Sequence, residues 1–170
     1  FNVGINGAGF EKIIYNDINH IVRDILIMFK NENTKKILDK IEKIIKKYSL
    51  GKHKKDEYII YRQDYNSKYR FRQDYSIYLY TLILFGFQQQ LRFNSNYEFN
   101  NPIGESGYNE SIKEKIVSFS RRIRELNTEF YSIDFEKLLA LINADTLVYI
   151  DPPYLITLGS YNDGKRGFNG

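Results

Sequence analysis

The sequence contains no cysteine, which excludes disulfide bonds and thiolate ligands for a metal. It has two histidines, His20 and His53, which are too few to suggest a transition-metal site. No apolar run reaches the roughly 18 residues that span a bilayer, and no secretory signal is recognisable. Neither a metal nor a membrane is therefore an expected partner. The lack of cysteine agrees with a reducing cytoplasm, which is the expected location.

The composition is rich in aromatic and basic side chains. The chain has 170 residues, enough for one domain, with 15 tyrosines, 12 phenylalanines and a net charge of +4. Aromatic rings among Lys and Arg suit stacking on bases beside phosphate neutralisation. The same composition is also typical of an ordinary core in a protein from an AT-rich organism. It therefore permits a nucleic-acid partner without requiring one.

Hydrophobic periodicity divides the chain into strands and helices. The predicted strands are 12–16, 129–133 and 147–150, the helices are 18–30, 34–48, 56–66, 75–87, 110–126 and 135–142, and a hairpin at 91–101 turns at Ser95-Asn96. Asn16 or Asp17 is expected to cap the first helix, and Asp134 the last. This layout predicts an α/β fold with an inserted, mostly helical region from about 34 to 112.

Three acidic residues, Asp17, Asp134 and Asp151, each follow a predicted strand. Because ligands bind where the carboxyl ends of parallel strands meet, the three are expected on one rim. Asp17 is placed to bind the ribose hydroxyls of an adenosine ligand. In a nicotinamide oxidoreductase the glycine-rich segment Gly4–Gly9 would be the phosphate loop. Asp17 follows Gly9 by only eight positions, which is too short a separation for a helix and a returning strand.

The apolar run Leu147–Ile150 leads directly into Asp151-Pro152-Pro153-Tyr154. Two prolines end a strand, since each fixes φ and lacks an N–H donor. A carboxylate, a carbonyl with few local donors and an aromatic ring then stand together at a strand end. These groups suit a flat ligand that carries an amino group, although a Pro-Pro turn with a packing tyrosine would have the same sequence.

Several further segments precede this tetrapeptide: Ile13–Asn19, Tyr61–Asn66, Arg92–Asn94 with Glu98–Gly104, and Ser132–Phe135. In this order they resemble four parts of the Dam-like adenine-N6 DNA methyltransferases. These parts are the ribose-binding strand, the Arg-x-x-Phe/Tyr-Asn helix, the hairpin of the target-recognition insert and the segment that contacts the cofactor's adenine. The tetrapeptide is similar to the family's catalytic motif, and the similarity covers nearly the whole chain.

The resemblance implies a Rossmann-like S-adenosylmethionine methyltransferase sheet, present here in incomplete form. It implies a catalytic α/β domain from 1–33 and 113–170, and a helical and hairpin target-recognition region at 34–112. The implied cofactor is S-adenosylmethionine. The implied partners are double-stranded DNA and a cognate restriction endonuclease that acts on the same site.

The resemblance also implies roles for individual residues. Asp151 and the Pro152 carbonyl would accept hydrogen bonds from the amino group of a flipped adenine, and Tyr154 would stack on that base, with Pro153 holding the turn rigid. Asp17 would bind the cofactor's ribose, and the cofactor's adenine would lie against Asp134 and Phe135. Asp151 also borders the cofactor.

DNA contacts are expected from Arg92, Asn94 and Asn96 in the hairpin, since Arg suits guanine or phosphate and Asn suits adenine. Lys54, in the basic loop 52–55, is a candidate for phosphate contact. The alternatives are that Arg92 and Asn94 are turn and capping residues, and that the basic loop is merely solvated.

Two departures from the family pattern leave other functions open. The family's Phe-x-x-Pro-Phe-x-Gly-x-Gly cofactor loop has no counterpart, and the sequence begins with Phe1 rather than Met, as a piece of a longer protein would. A DNA-binding remnant without activity is therefore an alternative. Methylation of a glutamine side chain or of cytosine is another, but those families usually have Asn or Ser in place of Asp151.

Overall fold

The computed structural model describes residues 10–143 and 145–150. This part contains two strands, six α-helices and two short 3₁₀ helices. They are, in chain order, β1 (Ile13–Asn16), α1 (His20–Asn31), α2 (Thr34–Tyr48), α3 (Lys55–Ser67), the 3₁₀ helix Tyr69–Phe71, α4 (Tyr75–Phe85), the 3₁₀ helix Phe87–Gln89, α5 (Glu110–Glu125), β2 (Thr128–Tyr131) and α6 (Phe135–Leu139). No helix within these residues is long and apolar enough to cross a membrane.

The two strands pair in parallel, although more than a hundred residues separate them. Ile13 lies opposite Thr128 and Asn16 opposite Tyr131. The Lys30 ammonium group at the end of α1 donates to the Leu126 carbonyl at 3.2 Å and the Thr128 carbonyl at 2.8 Å, which ties α1 to the start of β2. The carboxyl ends of both strands therefore meet at one edge.

The core lies in the helical layer. Ile37, Ile41 and Ile44 form the buried face of α2, and each contributes roughly 1.5–3 kcal/mol by leaving water. They pack towards α4, which is apolar on all sides and, as predicted, the most buried helix. Phe29 of α1 meets Phe119 of α5 edge to face, with ring centroids 5.3 Å apart. One core therefore joins the helices on both sides of the predicted insertion.

Asparagines cap three of the helices. Asn33 and Asn109 accept hydrogen bonds from backbone N–H groups in the first turns of α2 and α5. Asn19 caps α1 by accepting from Ile21 N at 3.1 Å. The prediction that Asn16 or Asp17 caps this helix was wrong, because both side chains are engaged elsewhere at the sheet edge. Asp134 caps α6 as predicted, accepting from Glu136 N at 2.9 Å.

The third predicted strand, 147–150, is not formed. Leu147 is 75% exposed and Tyr149 is 70% exposed, whereas the sequence predicts that they are buried. An apolar run becomes a strand only where a neighbouring strand satisfies its backbone and another layer covers its face. Within the described residues, nothing does so for this run. Within residues 10–143 and 145–150 the sheet consists of β1 and β2, and the other predicted elements keep their type with boundaries shifted by a few residues.

Candidate active-site edge and nucleic-acid interface

The side chain of Asn16 fastens the carboxyl ends of the two strands together. Its Nδ2 donates to the Ile133 carbonyl at 2.9 Å, and its Oδ1 accepts from Ile133 N at 3.0 Å. Ser132 Oγ donates to the Ile18 carbonyl at 3.1 Å. These bonds cross between segments more than 110 residues apart, so the loops after β1 and β2 form one edge.

Asp17 is held at this edge by two donors. Asn19 N lies 2.9 Å from its Oδ1, and the Tyr15 hydroxyl lies 3.2 Å from its Oδ2. Burial raises the pKa of Tyr15, and the adjacent carboxylate raises it further, so this phenol stays protonated and donates. The carboxylate is thereby oriented while it remains partly exposed.

Asp134 and Phe135 follow β2 at the same edge. The Asp134 carboxylate caps α6 with one oxygen, and the Phe135 ring is 51% exposed. The prediction of a shared rim is therefore confirmed for Asp17 and Asp134. The four residues of the predicted catalytic turn, Asp151, Pro152, Pro153 and Tyr154, lie outside the described residues. No group of three or more His, Cys, Asp or Glu side chains among the described residues could hold a metal ion.

The predicted hairpin is confirmed. Asn94 N donates to Glu98 O, and Asn100 N donates to Arg92 O, both at 2.9 Å. Tyr97 N donates to Asn94 O at 2.9 Å and so closes the turn, with Ser95 and Asn96 at its tip as predicted. Phe93 and Phe99 pair across the base of the hairpin and are buried, with ring centroids 5.8 Å apart.

The predicted DNA-contact residues differ in their surroundings. Asn94 is committed to the turn, since its Oδ1 accepts from Asn96 N and Glu98 N and its Nδ2 donates to Glu98 Oε2, all at 2.9 Å. This favours the alternative of a turn residue at position 94. Asn96 is exposed at the tip and Arg92 is partly buried. Lys54 is exposed just before α3 and pairs with Glu57 at 3.3 Å.

The sequence as a whole matches the family model of the D12 class N6 adenine-specific DNA methyltransferases over residues 3–168. The chain belongs to this family. It is similar to the Type II methyltransferase M.FokI of Planomicrobium okeanokoites, with 40% identity over 171 residues, covering 99% of this chain and 26% of the relative. It is also similar to the modification methylase LlaI of Lactococcus lactis, with 36% identity over 173 residues, covering 100% of this chain and 26% of the relative.

A more distant relative is the DNA adenine methylase of Haemophilus influenzae, with 26% identity over 147 residues. That match covers 86% of this chain and 49% of the relative. The chain thus spans about a quarter of the length of the two more similar relatives.

In this family member, polar side chains of α3 hold the hairpin in place. The sequence analysis did not assign these side chains to the DNA-binding site. Asn66 Nδ2 donates to Phe99 O at 3.0 Å, and Asn66 Oδ1 accepts from Phe99 N at 2.9 Å. Arg62 Nη1 and the Tyr58 hydroxyl both donate to Asn101 O, at 3.0 and 3.1 Å. The Arg-x-x-Tyr-Asn pattern is a sequence signal for these contacts. Its Arg62 and Asn66 are four positions apart and therefore lie on the same face of α3.

These contacts leave positive charge beneath the hairpin. Arg62 donates to backbone carbonyls, as does Arg70, whose Nη1 lies 3.2 Å from Tyr97 O. Neither guanidinium has a carboxylate partner within the part of the chain that is described. A neutral carbonyl orients a guanidinium without cancelling its charge, so Arg62 and Arg70 keep their positive charge beside the hairpin.

Gly104 lies where the chain leaving the hairpin passes the end of α4. A Cβ there would lie 2.7 Å from Gly86 O and 2.9 Å from Phe87 Cα, and neither backbone atom can give way cheaply. We expect Gly104→Ala to lower the free energy of unfolding by about 1–3 kcal/mol, measured by urea denaturation. Gly107→Ala is the matched control, because its Cβ would meet Phe85 Cε1 at an ordinary 3.7 Å. Equal midpoints for the two variants would contradict the close approach.

Proposed function

We propose that this chain is part of an S-adenosylmethionine-dependent enzyme that methylates the exocyclic amine of a flipped adenine at specific sites in duplex DNA. The family match over residues 3–168 is the observation that carries this proposal. The names of the relatives, among them modification methylases and a DNA adenine methylase, support it. A cognate restriction endonuclease is the proposed partner, and the cytoplasm the proposed location.

The residues at the strand edge support S-adenosylmethionine as the cofactor. Asp17, oriented by Tyr15 and Asn19 and partly exposed, would accept hydrogen bonds from the ribose hydroxyls. The exposed ring of Phe135 offers a flat apolar face for the cofactor's adenine, with Asp134 beside it. S-adenosylmethionine would supply the electrophilic methyl group, and the protein would orient the two reactants.

Acceptors at the catalytic turn would act on the target amine. The lone pair of this amine is delocalised into the ring, so the amine becomes nucleophilic only as it pyramidalises. The Asp151 carboxylate and the Pro152 carbonyl would accept its two N–H groups, and these bonds strengthen as positive charge develops on the nitrogen. Tyr154 would stack on the extruded base, worth roughly 1–3 kcal/mol, with Pro153 keeping the turn rigid.

The hairpin and the helices around it would bind the DNA. We assign target recognition to residues 34–112 and catalysis to 1–33 with 113–170. Arg62 and Arg70 beside the hairpin would neutralise phosphates, and Lys54 would add a further phosphate contact. Asn96 at the tip and Arg92 in the strand before it would read base edges, while Asn94 would shape the turn that presents them.

The test is methyl transfer by the whole protein from S-adenosylmethionine with a tritiated methyl group to genomic DNA from a methylation-deficient strain. We expect the label in N6-methyldeoxyadenosine after digestion to nucleosides, and saturation at a fixed number of sites. Label in methylcytosine or in protein would contradict the proposed substrate. DNA binding without any transfer would favour the inactive remnant.

A further inference from the structure

Phe71 is held in an exposed position beside the hairpin tip. It ends the 3₁₀ helix Tyr69–Phe71, and 71% of its surface is exposed. The Arg70 guanidinium carbon lies 4.6 Å from the centroid of its ring. The same guanidinium donates to the tip carbonyls of Tyr97 at 3.2 Å and Asn96 at 3.5 Å. One side chain therefore links the exposed ring to the hairpin turn.

Tyr69, two residues earlier, anchors the 3₁₀ helix. Its ring stacks on Tyr78 of α4, with centroids 4.1 Å apart and planes within 2° of parallel. Its hydroxyl accepts from Lys47 Nζ at 2.8 Å. Tyr69 therefore anchors the 3₁₀ helix on α4, while Phe71 remains at the surface. A ring on such a fixed support loses little conformational entropy when it binds a partner.

A single exposed apolar side chain is common, so its surroundings decide what it contacts. Here they are cationic, since Lys68, Arg70 and Arg72 surround Phe71 in the sequence. Lys68 and Arg72 are paired with Asp64 and Asp74, but Arg70 has no such pairing within the described part, and its Nε is buried without a hydrogen-bond partner there. Uncompensated positive charge disfavours an apolar protein surface and suits a polyanion that also offers flat faces.

We propose that Phe71 stacks on a nucleobase of the bound duplex, on a base face that becomes exposed when the duplex opens at the target site. Arg70 would keep the ring aligned with the hairpin tip while its charge faces the phosphates. This role rests on the proposed function, since a duplex in regular stacking offers no base face to a side ring.

The experiment measures duplex affinity of the whole protein by fluorescence anisotropy, with a labelled duplex that carries the sequence it methylates. We expect Phe71→Ala to weaken binding by about 5- to 100-fold, as losing one stacked base does. The slope of log Kd against log salt concentration should stay unchanged, because no phosphate contact is lost. Val117→Ala, which trims an exposed apolar side chain on α5, is the matched control and should bind like the parent.

Phe71→Trp provides a second readout. The 170 residues contain no tryptophan, so the new indole adds a signal of its own, obtained as the difference from the parent. Stacking on a base should quench this difference emission on DNA addition, with affinity near that of the parent.

Two results would overturn the role of Phe71. One is a Kd for Phe71→Ala within twofold of the parent, together with an unquenched indole. The other is a reduced salt slope, which would show that the variant lost the hairpin's phosphate contacts and that Phe71 acts structurally. In either case methyl transfer by the parent would still stand, so the failure would be separate from that of the proposed function.

Discussion

Replacing Asp151 with alanine is expected to slow methyl transfer by on the order of 100-fold or more. The carboxylate would accept one of the two N–H groups of the target amine, and this bond is worth most when the nitrogen carries positive charge. The loss should therefore appear in kcat, with little change in the Kd for duplex DNA. Single-turnover transfer of labelled methyl groups at saturating cofactor measures the step directly.

Asp17→Ala provides the contrast, since the proposed role of Asp17 is to bind the cofactor's ribose rather than to act on the base. This variant should weaken S-adenosylhomocysteine binding in calorimetry and recover much of its rate at high cofactor concentration. If Asp151→Ala were as fast as the parent, or if saturating cofactor restored its rate, the catalytic assignment would fail.

Raising the pH above 10 is expected to unfold the protein cooperatively. Tyr58, Tyr61 and Tyr65 are each at most 2% exposed, and burial raises the pKa of all three well above 10. Burial also raises the pKa of Tyr80 to about 12. In the unfolded chain these phenols ionise near pH 10. Their contribution to stability is therefore complete below pH 10 and is lost as the pH rises towards the folded-state pKa values.

Because each such tyrosine ionises only in the unfolded chain, it lowers the free energy of unfolding by about 1.4 kcal/mol per pH unit above 10. Four of them together remove roughly 5 kcal/mol by pH 11, which is comparable to the whole stability of many domains. We expect the loss of helical circular dichroism and the rise of tyrosinate absorbance at 295 nm to coincide between about pH 10.5 and 12.

Tyr80→Phe is a matched variant for this transition, because it removes one partly buried ionisable group and keeps the ring that meets Phe29 edge to face at 4.9 Å. Its alkaline midpoint should move upward relative to the parent. Gradual titration of all tyrosines near pH 10 with unchanged circular dichroism would show that these side chains are accessible, contrary to their burial here.

Sequence patterns were reliable where the determining contacts are local. The helical period of Ile37, Ile41 and Ile44 predicted α2 with the bounds Thr34–Tyr48 that the structure has. The turn at Ser95-Asn96 was likewise predicted correctly. The contacts that close it are local, because Asn94 Oδ1 accepts from the N–H groups of Asn96 and Glu98. The cap of α1 was predicted wrongly, because several polar side chains precede this helix and any of them could reach its first turn.

Sequence patterns failed where contacts with a remote segment determine the local structure. Asn16 bonds with Ile133, across 117 positions, and so leaves the capping of α1 to Asn19. The apolar run 147–150 has strand composition, yet within the described residues it finds neither a pairing strand nor a covering layer. Strand formation depends on partners that a local pattern does not contain.

The sequence alone determined the family, the helices and the chemistry of the proposed catalytic turn, because residue type and order carry that information. Tertiary structure alone decided that Arg62 and Asn66 lock the hairpin onto α3. It also decided that Asn101 Nδ2 donates to the Phe87 and Gln90 carbonyls after α4, and that Arg70 brings Phe71 beside the hairpin tip. These contacts join side chains to backbone groups that lie 11 to 39 positions apart in the chain. Their hydrogen-bond geometry exists only after the helices have packed, since packing fixes both partners within about 3 Å of each other.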